Sequence, residues 1–314
     1  MKDFFNLNYV NLDFNLKFKG PAKFPPYKGT TIRGALGMGF KNTVCLYKKR
    51  SCAECPFKEK CSFAYNFETP VTKNAPVLKK YQNAPHPFII IPDSEKKQEF
   101  YAGDNFAFTI RLFEKGILFY AYYIEAFRHI EKNGIGIKEN RGKFVLTEVN
   151  LCNKPIFRNG DFLIENFSEC VFKPKLLRRP IKNLTLEFIT PAKIIENGKV
   201  TLKPTFRTII KSLLWRYSLI KFWHSDHEPF SSFYKELIHK SEQVTISNLS
   251  IEPVRIKRFS TRKKVYMELL GFMGVITFAG ELSEFIPLLQ IGEIINIGHN
   301  TSFGFGRFKI INMQ

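Results

Sequence analysis

Three glycines lie close together near the carboxy terminus: Gly298, Gly304 and Gly306. Glycine at this density lets a backbone adopt positive φ and lets another backbone come close, so the segment is predicted to be a loop that holds an extended polyanion. Its amides could wrap a phosphate chain, helped by the side chains of His299, Asn300, Thr301, Ser302 and Arg307. The loop alone is a weak signal, because a glycine-rich hairpin without a ligand has the same composition.

His299 is the first candidate for proton transfer, because it lies in this loop, where a phosphate would lie. The other five histidines are interpreted as loop residues (His86, His224 and His227) or as helix-face residues (His129 and His239). The sequence has no Ser-His-Asp order, phosphate-loop signature or metalloprotease helix motif.

Four cysteines fall within a short segment, with the spacing C-x6-C-x2-C-x5-C: Cys45, Cys52, Cys55 and Cys61. Four thiolates that converge are what a tetrahedral structural zinc site needs, and the flanking lysines are expected to lower the thiol pKa values. An iron-sulfur cluster on the same cysteines is the second interpretation, and disulfides are the third. We expect a metal-binding insertion at about residues 45–70.

Basic residues cluster in two places in the second half. A cationic hairpin is predicted just before an apolar strand, with Arg258, Arg262, Lys263 and Lys264 as its candidate RNA contacts. The helix from residue 205 carries Arg207, Lys211 and Arg216 loosely on one side. A run of charge is usually a solvated face, but a salt-sensitive phosphate track has the same pattern.

The overall charge of the chain favours a phosphate track over a solvated face. The formal net charge is +20, with 48 Lys and Arg against 28 Asp and Glu, and the sequence pI is about 9.6. A protein this basic usually meets a polyanion. The amino terminus does not resemble a signal peptide and no apolar run is long enough to span a bilayer, so we expect a cytoplasmic protein without a membrane partner.

The first half is predicted to begin with a strand at residues 6–18, where apolar and polar residues alternate. Residues 30–47 have apolar residues every four positions, which predicts a helix. Gly34, Gly37 and Gly39 fall within that helix. Because each glycine costs about 1 kcal/mol relative to Ala, we expect a close approach there, either by a sheet or by an RNA strand.

The second half repeats part of the first. Leu16-Lys-Phe-Lys-Gly-Pro-Ala-Lys-Phe24 is echoed by Leu186-Glu-Phe-Ile-Thr-Pro-Ala-Lys-Ile194, and each copy leads into a predicted helix, the second at residues 205–222. Strands at 252–259, 265–268 and 271–278, a helix at 283–290 and a last strand at 307–311 complete a ferredoxin-like order. We therefore predict an α+β protein of two tandem ferredoxin-like (RRM-like) domains, residues 1–175 and 176–314, with the cysteine-rich insertion in the first.

These motifs together resemble a known family. Arg258-Phe-Ser-Thr-Arg262, Leu270-Gly-Phe-Met-Gly274 and the loop from Gly298 to Arg307 are similar to the CRISPR precursor-RNA processing endoribonucleases of the RAMP superfamily. The stretches Lys28-Gly-Thr-Thr-Ile-Arg-Gly-Ala-Leu-Gly37, Cys52-Ala-Glu-Cys-Pro56 and Tyr65-Asn-Phe-Glu-Thr-Pro70 resemble its cysteine-bearing branch. The resemblance covers both halves of the chain.

The resemblance implies binding of CRISPR repeat RNA and cleavage without a catalytic cofactor, by attack of a ribose 2′-hydroxyl on the adjacent phosphate. The family's base is often a histidine near the first helix, and residues 27–44 contain none. His299 is therefore the first candidate for acid or base and Tyr27 the second, with Arg33, Arg258 and Arg262 as charge stabilisers. The alternative is a non-catalytic guide-RNA-binding subunit that assembles with other CRISPR effector subunits.

Overall fold

A computed structural model describes residues 5–47, 51–71, 84–92, 97–163, 170–174, 180–225, 232–260 and 265–314. The chain folds as two compact units. The N-terminal unit comprises Asn8–Cys170 with Trp223–Ser225, and the C-terminal unit comprises Met1–Leu7, Val171–Phe222 and Asp226–Gln314. The predicted boundary between residues 175 and 176 lies outside the described residues.

The N-terminal unit contains a mixed set of elements. They are β1 (Leu7–Phe18), β2 (Ala22–Lys23), α1 (Gly29–Val44), β3 (Phe88–Pro92), β4 (Glu99–Phe100), β5 (Asn105–Phe113), α2 (Tyr120–Ile130), β6 (Phe144–Leu151), β7 (Lys154–Arg158), β8 (Asp161–Phe162) and β9 (Cys170–Phe172). The main sheet has the order β3-β5-β1-β6-β7-β8, and its neighbouring strands are antiparallel. On β1 the side chains of Leu12, Phe14 and Leu16 are fully buried, and Phe14 packs on Phe127 of α2 with ring centroids 5.0 Å apart.

The C-terminal unit has the same plan. Its elements are β10 (Asn183–Ala192), β11 (Ile194–Glu196), β12 (Lys199–Thr201), α3 (Phe206–His224), α4 (Ser232–Lys240), β13 (Thr245–Ser260), β14 (Val265–Ala279), α5 (Ile286–Ile295) and β15 (Phe308–Met313). The four-stranded sheet has the order β13-β14-β10-β15, again antiparallel. Phe206 of α3 packs on Phe278 of β14, with ring centroids 4.9 Å apart.

Both sheets therefore share one topology. In each unit the first strand lies between the third and the fourth, and the second strand lies at the edge, which is the ferredoxin-like arrangement of a split β-α-β unit. The predicted α+β class and the tandem ferredoxin-like fold are confirmed. In the described part of the chain, no helix is both long enough and apolar enough to cross a membrane.

The glycines of α1 have different environments. A Cβ on Gly39 would lie 2.1 Å from the carbonyl oxygen of Ala126, so this glycine allows α1 and α2 to touch backbone to backbone. The close neighbour is thus a helix, where a sheet or an RNA strand was expected. Gly37 leaves room for the guanidinium of Arg33 and the ring of Phe67, whereas Gly34 is exposed and faces open space.

Two predicted elements of the C-terminal unit needed correction. The strands expected at 265–268 and 271–278 are one continuous strand, β14, in which Gly274 takes a φ of 120° and lies against Ser250 of β13. The helix expected at 283–290 continues as α5 to Ile295. The apolar residues after position 290 are buried on this helix, since periodicity over so short a run does not separate a strand from a buried helix.

Candidate functional site

The glycine loop, residues 296–307, connects α5 to β15. The helix ends at Ile295 because Asn296 adopts a φ of 60°. Gly298, Gly304 and Gly306 have φ values of 77°, 89° and 71°, which favour glycine. A Cβ on Gly306 would lie 1.9 Å from the carbonyl oxygen of Ile297, so the loop closes on itself only with glycine at that position.

Most of the loop amides donate to oxygen atoms of the protein. Within the loop, the amides of Ile297 and Gly304 donate to the carbonyls of Gly306 and Thr301 at 2.9 and 2.8 Å. Those of Gly306 and Arg307 donate to the Pro191 carbonyl and the Thr190 hydroxyl, each at 2.9 Å. The fold itself thus accounts for the glycines, and contact of Gly298, Gly304 and Gly306 with a phosphate chain stays a prediction.

His299 lies on the outer side of this loop and is exposed. Its amide donates to the carbonyl of Lys193 at 2.8 Å, which fixes the backbone that carries the ring. Crowding by neighbouring atoms lowers the pKa of the imidazole, and the positive charges of Lys193 and Arg216 lower this pKa further. A histidine with a lowered pKa is mostly neutral at pH 7, so its ring is able to accept a proton.

Arg258, on β13, reaches the same loop. The centre of its guanidinium lies 4.6 Å from the ring centroid of Phe303, a cation–π contact. Burial lowers its pKa. Among the described residues, its Nε and the Nδ2 of Asn300 are buried donors without an acceptor. Buried donors are normally paired, so two such groups on one loop and its neighbouring strand indicate a place for acceptor oxygens of a ligand.

The other residues that were predicted to bind RNA differ in their exposure and in their partners. Ser302 is buried, and Arg307 is half-buried. Arg207 pairs with Glu242 at 2.8 Å, and Lys211 is exposed. Arg262, Lys263 and Lys264 lie outside the described residues.

Arg216 is not on the exposed face where the helical spacing placed it. It is only 5% exposed and donates from Nε to the carbonyl of Ile295, at the end of α5, at 2.8 Å. Burial lowers its pKa to about 9. Its Nη2 has no acceptor among the described residues, so a cation that sequence reasoning assigned to the surface lies instead behind the glycine loop.

Tyr27 and Arg33 belong to the N-terminal unit. The guanidinium of Arg33 lies 4.4 Å from the ring centroid of Phe67 and 5.3 Å from that of Phe88. The carbonyl of Tyr27 accepts a hydrogen bond from the Thr30 hydroxyl at 3.4 Å. Arg33 thus lies on two buried rings of the first core and Tyr27 is half-buried, and the catalytic roles of both residues stay predictions.

His224 was expected in a solvated loop, and this was wrong. It ends α3 and is fully buried. Its Nδ1 lies 2.8 Å from the Tyr65 hydroxyl, and its Nε2 lies 2.8 Å from the Pro85 carbonyl oxygen. The predicted helix ended at residue 222, and no residue type in the sequence marked the extension. His86, also interpreted as a loop residue, has its Nδ1 2.9 Å from the hydroxyl of Thr69.

The four cysteines Cys45, Cys52, Cys55 and Cys61 are half-buried free thiols. Burial raises the pKa of Cys52 and outweighs the opposing charge of Lys41, so for this thiol the lowering expected from nearby lysines is wrong. Among the described residues, no three or more His, Cys, Asp or Glu side chains are grouped as metal ligands. The zinc site stays a prediction, which metal analysis of the purified protein tests.

Two different family models match the two halves of the chain. The AF_1859_N family model, described as an N-terminal domain, matches residues 7–169. The model of the CRISPR-associated endoribonuclease Cas6 matches residues 186–308, which include the glycine loop and Arg258. The chain belongs to the family of the AF_1859_N model, whose match covers just over half of it, and the similarity to Cas6 is confined to residues 186–308. An uncharacterized protein of Archaeoglobus fulgidus is 25% identical over 314 residues, which cover 98% of this chain and 99% of the relative.

Solved Cas6 structures share the fold of this chain. A Cas6 (TTHB231) product complex matches with a TM-score of 0.55 and 16% identity, over 97% of this chain and 100% of the other. Thermus thermophilus Cas6 (TTHB231) matches with a TM-score of 0.53 and 13% identity, over 97% and 99%. In a partial Cas6-RT-Cas1–Cas2 complex, the matched chain gives a TM-score of 0.56 at 11% identity, with 98% of this chain covering 46% of that one.

Proposed function

We propose that this protein is an endoribonuclease that binds CRISPR repeat RNA and cleaves precursor CRISPR RNA without a catalytic metal ion. One observation carries the proposal: a loop with a histidine of lowered pKa, His299, also holds the side-chain Nδ2 of Asn300, which has no acceptor among the described residues, and the ring beneath Arg258. The match of residues 186–308, which include this loop, to the Cas6 model supports the substrate class.

The chemistry assigned to His299 is that of a general base. The neutral imidazole takes the proton of a ribose 2′-hydroxyl while O2′ forms a bond to the adjacent phosphorus. The bond from phosphorus to O5′ then breaks and O5′ takes a proton from solvent water, which leaves a 2′,3′-cyclic phosphate and a 5′-hydroxyl. A positioned base of this kind contributes about 10²- to 10⁴-fold to a rate, and the lowered pKa keeps the ring in its proton-accepting form at pH 7.

Cations around the loop suit the charge that develops on the phosphate. Arg258 offers a planar fork whose Nε has no acceptor in the described part of the chain, and a guanidinium matches the geometry of phosphate oxygens. Arg216 adds a buried charge behind the loop, balanced in the described residues only by the carbonyl of Ile295 at the end of α5. A bound phosphate would offset the cost of this buried charge, so the same residue favours anion binding in front of it.

The partners that we propose are the RNA and, in a second step, other CRISPR proteins. One matched structure is a Cas6 product complex, and another is a partial Cas6-RT-Cas1–Cas2 complex. A role as a non-catalytic holder of guide RNA would use the same cations and would not need His299 to exchange a proton. An assay for RNA cleavage therefore distinguishes the endoribonuclease from the non-catalytic holder of guide RNA.

The test uses a transcript that carries two repeats from the CRISPR array of the same genome, incubated with the protein in EDTA. We expect one cut in each repeat, with a cyclic phosphate on the upstream product. A transcript with a single 2′-deoxy residue before the cut should bind equally well and stay intact at that repeat, because the nucleophile is missing.

Salt-sensitive binding without a cut would refute the enzyme and leave the guide-RNA holder. A cut that survives the 2′-deoxy substitution would refute the mechanism. Because EDTA could also strip a structural metal from the cysteines, circular dichroism of the same sample has to show that the protein remains folded.

A further inference from the structure

The N-terminal unit carries a group of exposed cations beside the loop at residues 131–143, which connects α2 to β6. We call this group the first-loop patch, and its members are Lys17, Lys19, Arg141 and Lys143. Leu16 and Phe18 are buried in the core, so the alternation of β1 places Lys17 on the other face of the sheet. The patch therefore begins on the sheet face that lies opposite the core.

Backbone contacts bring the four cations together. The amide of Lys19 donates to the carbonyl of Lys143 at 2.8 Å. Lys17 is paired with Val145, two residues further along, where β1 runs beside β6. A Cβ on the glycine between the two loop cations would lie 2.5 Å from the Cβ of Ala22. The loop thus packs against the chain that follows β1, and this contact fixes the four positions at one end of the sheet.

The patch has no paired counter-charge in the described part of the chain. The described ion pairs include several cations of the same unit, but none of these four. Asp104, whose carbonyl accepts from the amide of Phe18, already binds Lys97 through its carboxylate at 2.8 Å. Glu139, the exposed acid of the loop, follows directly after the exposed Lys138, which offsets its charge. Four like charges repel one another, so their grouping favours an anion from outside the protein.

The second copy of the repeated segment shows that the fold does not need these lysines. Glu187 and Ile189 stand there at the positions of Lys17 and Lys19. The amide of Ile189 donates to the carbonyl of Arg307 at 2.9 Å, which is the counterpart of the bond that holds Lys19. Because the same backbone contact forms with a carboxylate and an apolar side chain at these positions, the lysines fit a binding role better than a structural one.

Amide side chains beside the patch favour a nucleic acid over other anions. Asn105 is exposed and lies opposite Lys17 in the pairing of β1 with β5, and Asn15 precedes Lys17 on the same face. An amide both donates and accepts hydrogen bonds, which suits the edges of unpaired bases, and RNA-recognition sheets hold nucleotides on such a face. An acidic protein would also meet the four charges, but it would offer no base edges to the amides.

We propose that the first-loop patch binds the phosphate backbone of the substrate RNA, so that the N-terminal unit contributes affinity without chemistry. The proposal rests on the proposed function, which it extends by adding a second phosphate-binding surface. In this loop, the amide that binds the Pro-Ala-Lys segment belongs to Ile137, where the glycine loop has His299. Ile137 cannot transfer a proton, so neutralising the patch should weaken RNA binding and leave the cleavage rate of the bound complex unchanged.

The test compares two variants that each lose four positive charges. The patch variant combines Lys17→Gln, Lys19→Gln, Arg141→Gln and Lys143→Gln. The control variant makes the same replacement at four exposed lysines elsewhere, Lys60→Gln, Lys154→Gln, Lys203→Gln and Lys235→Gln. Binding to a repeat RNA with a 2′-deoxy residue before the cut is measured over a range of KCl concentrations.

We expect the patch variant to bind at least about tenfold more weakly than the control variant at roughly 0.1 M salt. The slope of log affinity against log salt should fall by about 2 to 3 in the patch variant, since each phosphate contact on a single strand adds about 0.7. The control variant should keep the slope of the wild type. Both variants should retain the wild-type thermal unfolding and the wild-type single-turnover cleavage rate at saturating protein.

Uncharged phosphate analogues locate the contact. A methylphosphonate is placed at one position after another along the RNA, so that one charge is removed at a time. At a few neighbouring positions the analogue should weaken binding to the wild type and have no further effect on the patch variant.

The outcomes separate the two proposals. Equal affinity and equal salt slope in the two variants would overturn RNA binding by the patch, in favour of an acidic protein, and leave the proposed function intact. Weaker binding by the patch variant, with no cleavage by the wild type, would keep the patch and refute the nuclease. A loss of affinity that no methylphosphonate position reproduces would also overturn the patch, because a direct contact depends on particular phosphates.

Discussion

The loop that leads into β6 in one unit and into β15 in the other has the same backbone design in both units, but the side chains differ. In the N-terminal unit residues 131–143 connect α2 to β6, and in the C-terminal unit the glycine loop connects α5 to β15. In the first loop the amide of Ile135 donates to the carbonyl of Gly142 at 3.0 Å, and in the second the amide of Ile297 donates to that of Gly306 at 2.9 Å.

The repeated Pro-Ala-Lys segment holds both loops. The carbonyl of Lys23 accepts from the amide of Ile137 at 2.8 Å, and that of Lys193 accepts from the amide of His299 at 2.8 Å. A Cβ on Gly136 would lie 2.7 Å from the first carbonyl oxygen, and one on Gly298 would lie 2.3 Å from the second. The repeat seen in the sequence is thus a structural clamp, and its glycines serve the fold in both copies.

The side chains that differ between the two loops are therefore better candidates for a chemical role than the glycines that both loops share. Ile137 stands in the first loop where His299 stands in the second. The first loop continues with a short helix at Lys138–Asn140 and the second with one at Thr301–Phe303, and the latter brings Phe303 beneath Arg258. The two copies thus hold different side chains at positions where their backbones make the same contacts.

The largest expected effect comes from exchanging the two equivalent residues. His299→Ile gives the C-terminal loop the residue of its counterpart and should lower the single-turnover cleavage rate by about 10²- to 10⁴-fold, with the Kd for RNA nearly unchanged. Ile137→His should cleave like the wild type. A His299→Ile variant that still cleaves at half the normal rate would show that the base lies elsewhere.

Alanine substitutions of glycines in the two units should distinguish an effect on stability from an effect on RNA cleavage. Gly306→Ala places a Cβ against the Ile297 carbonyl at positive φ and should lower the free energy of unfolding by more than about 3 kcal/mol. Gly142→Ala, its counterpart, meets the Ala22 Cβ at 2.5 Å and should also destabilise the fold. Gly198→Ala, at positive φ but in open space, should cost about 1–2 kcal/mol.

These three variants are compared by thermal and denaturant unfolding. Only Gly306→Ala should also reduce cleavage per folded molecule, because it displaces the segment that carries His299. Equal specific activity in the three variants would argue against a site in this loop.

A medium effect is expected at Arg258, whose guanidinium lies on the ring of Phe303 in the glycine loop. Arg258→Met should weaken RNA binding or cleavage by roughly tenfold, and Arg258→Lys should lose nearly as much, since lysine lacks the planar fork that stacks on Phe303. The matched control is Arg255→Met on the same strand, whose exposed guanidinium pairs with Glu268 at 2.8 Å. If Arg255→Met is equally damaging, the hairpin acts only through its net charge.

The sequence was enough to predict the tandem fold because its signals are local. Each signal lies within or beside one element: apolar and polar residues alternate on β1, apolar residues recur every four positions on α1, and Pro-Ala-Lys lies at or just after the end of the first strand of each unit. The order of the predicted strands and helices along the chain then gives the ferredoxin-like fold. Element ends were less accurate, because an apolar run such as residues 291–295 suits a strand and a buried helix alike.

The site was predicted only in part, because its groups meet through tertiary contacts. The glycine spacing revealed the loop and His299. Nothing in the sequence showed that Arg216 turns inward to the end of α5, or that Trp215 faces outward, since a helix with apolar residues nearly all round gives no clear register for its exposed stripe. The role of Lys193 became visible only when its carbonyl was seen to hold His299.

The smallest expected effect concerns the charge of Lys193. Its positive charge helps to lower the pKa of His299, after crowding of the ring and before Arg216. Lys193→Met removes that repulsion, so the pKa should rise and the basic form should appear at higher pH. The rising limb of the pH profile of kcat/KM should then move upward, by less than about one unit, because solvent and salt screen the interaction. Lys23→Met, at the equivalent position beside Ile137, should leave the profile in place. A downward shift in Lys193→Met would contradict His299 as the base, since a base freed from a neighbouring cation can only become easier to protonate.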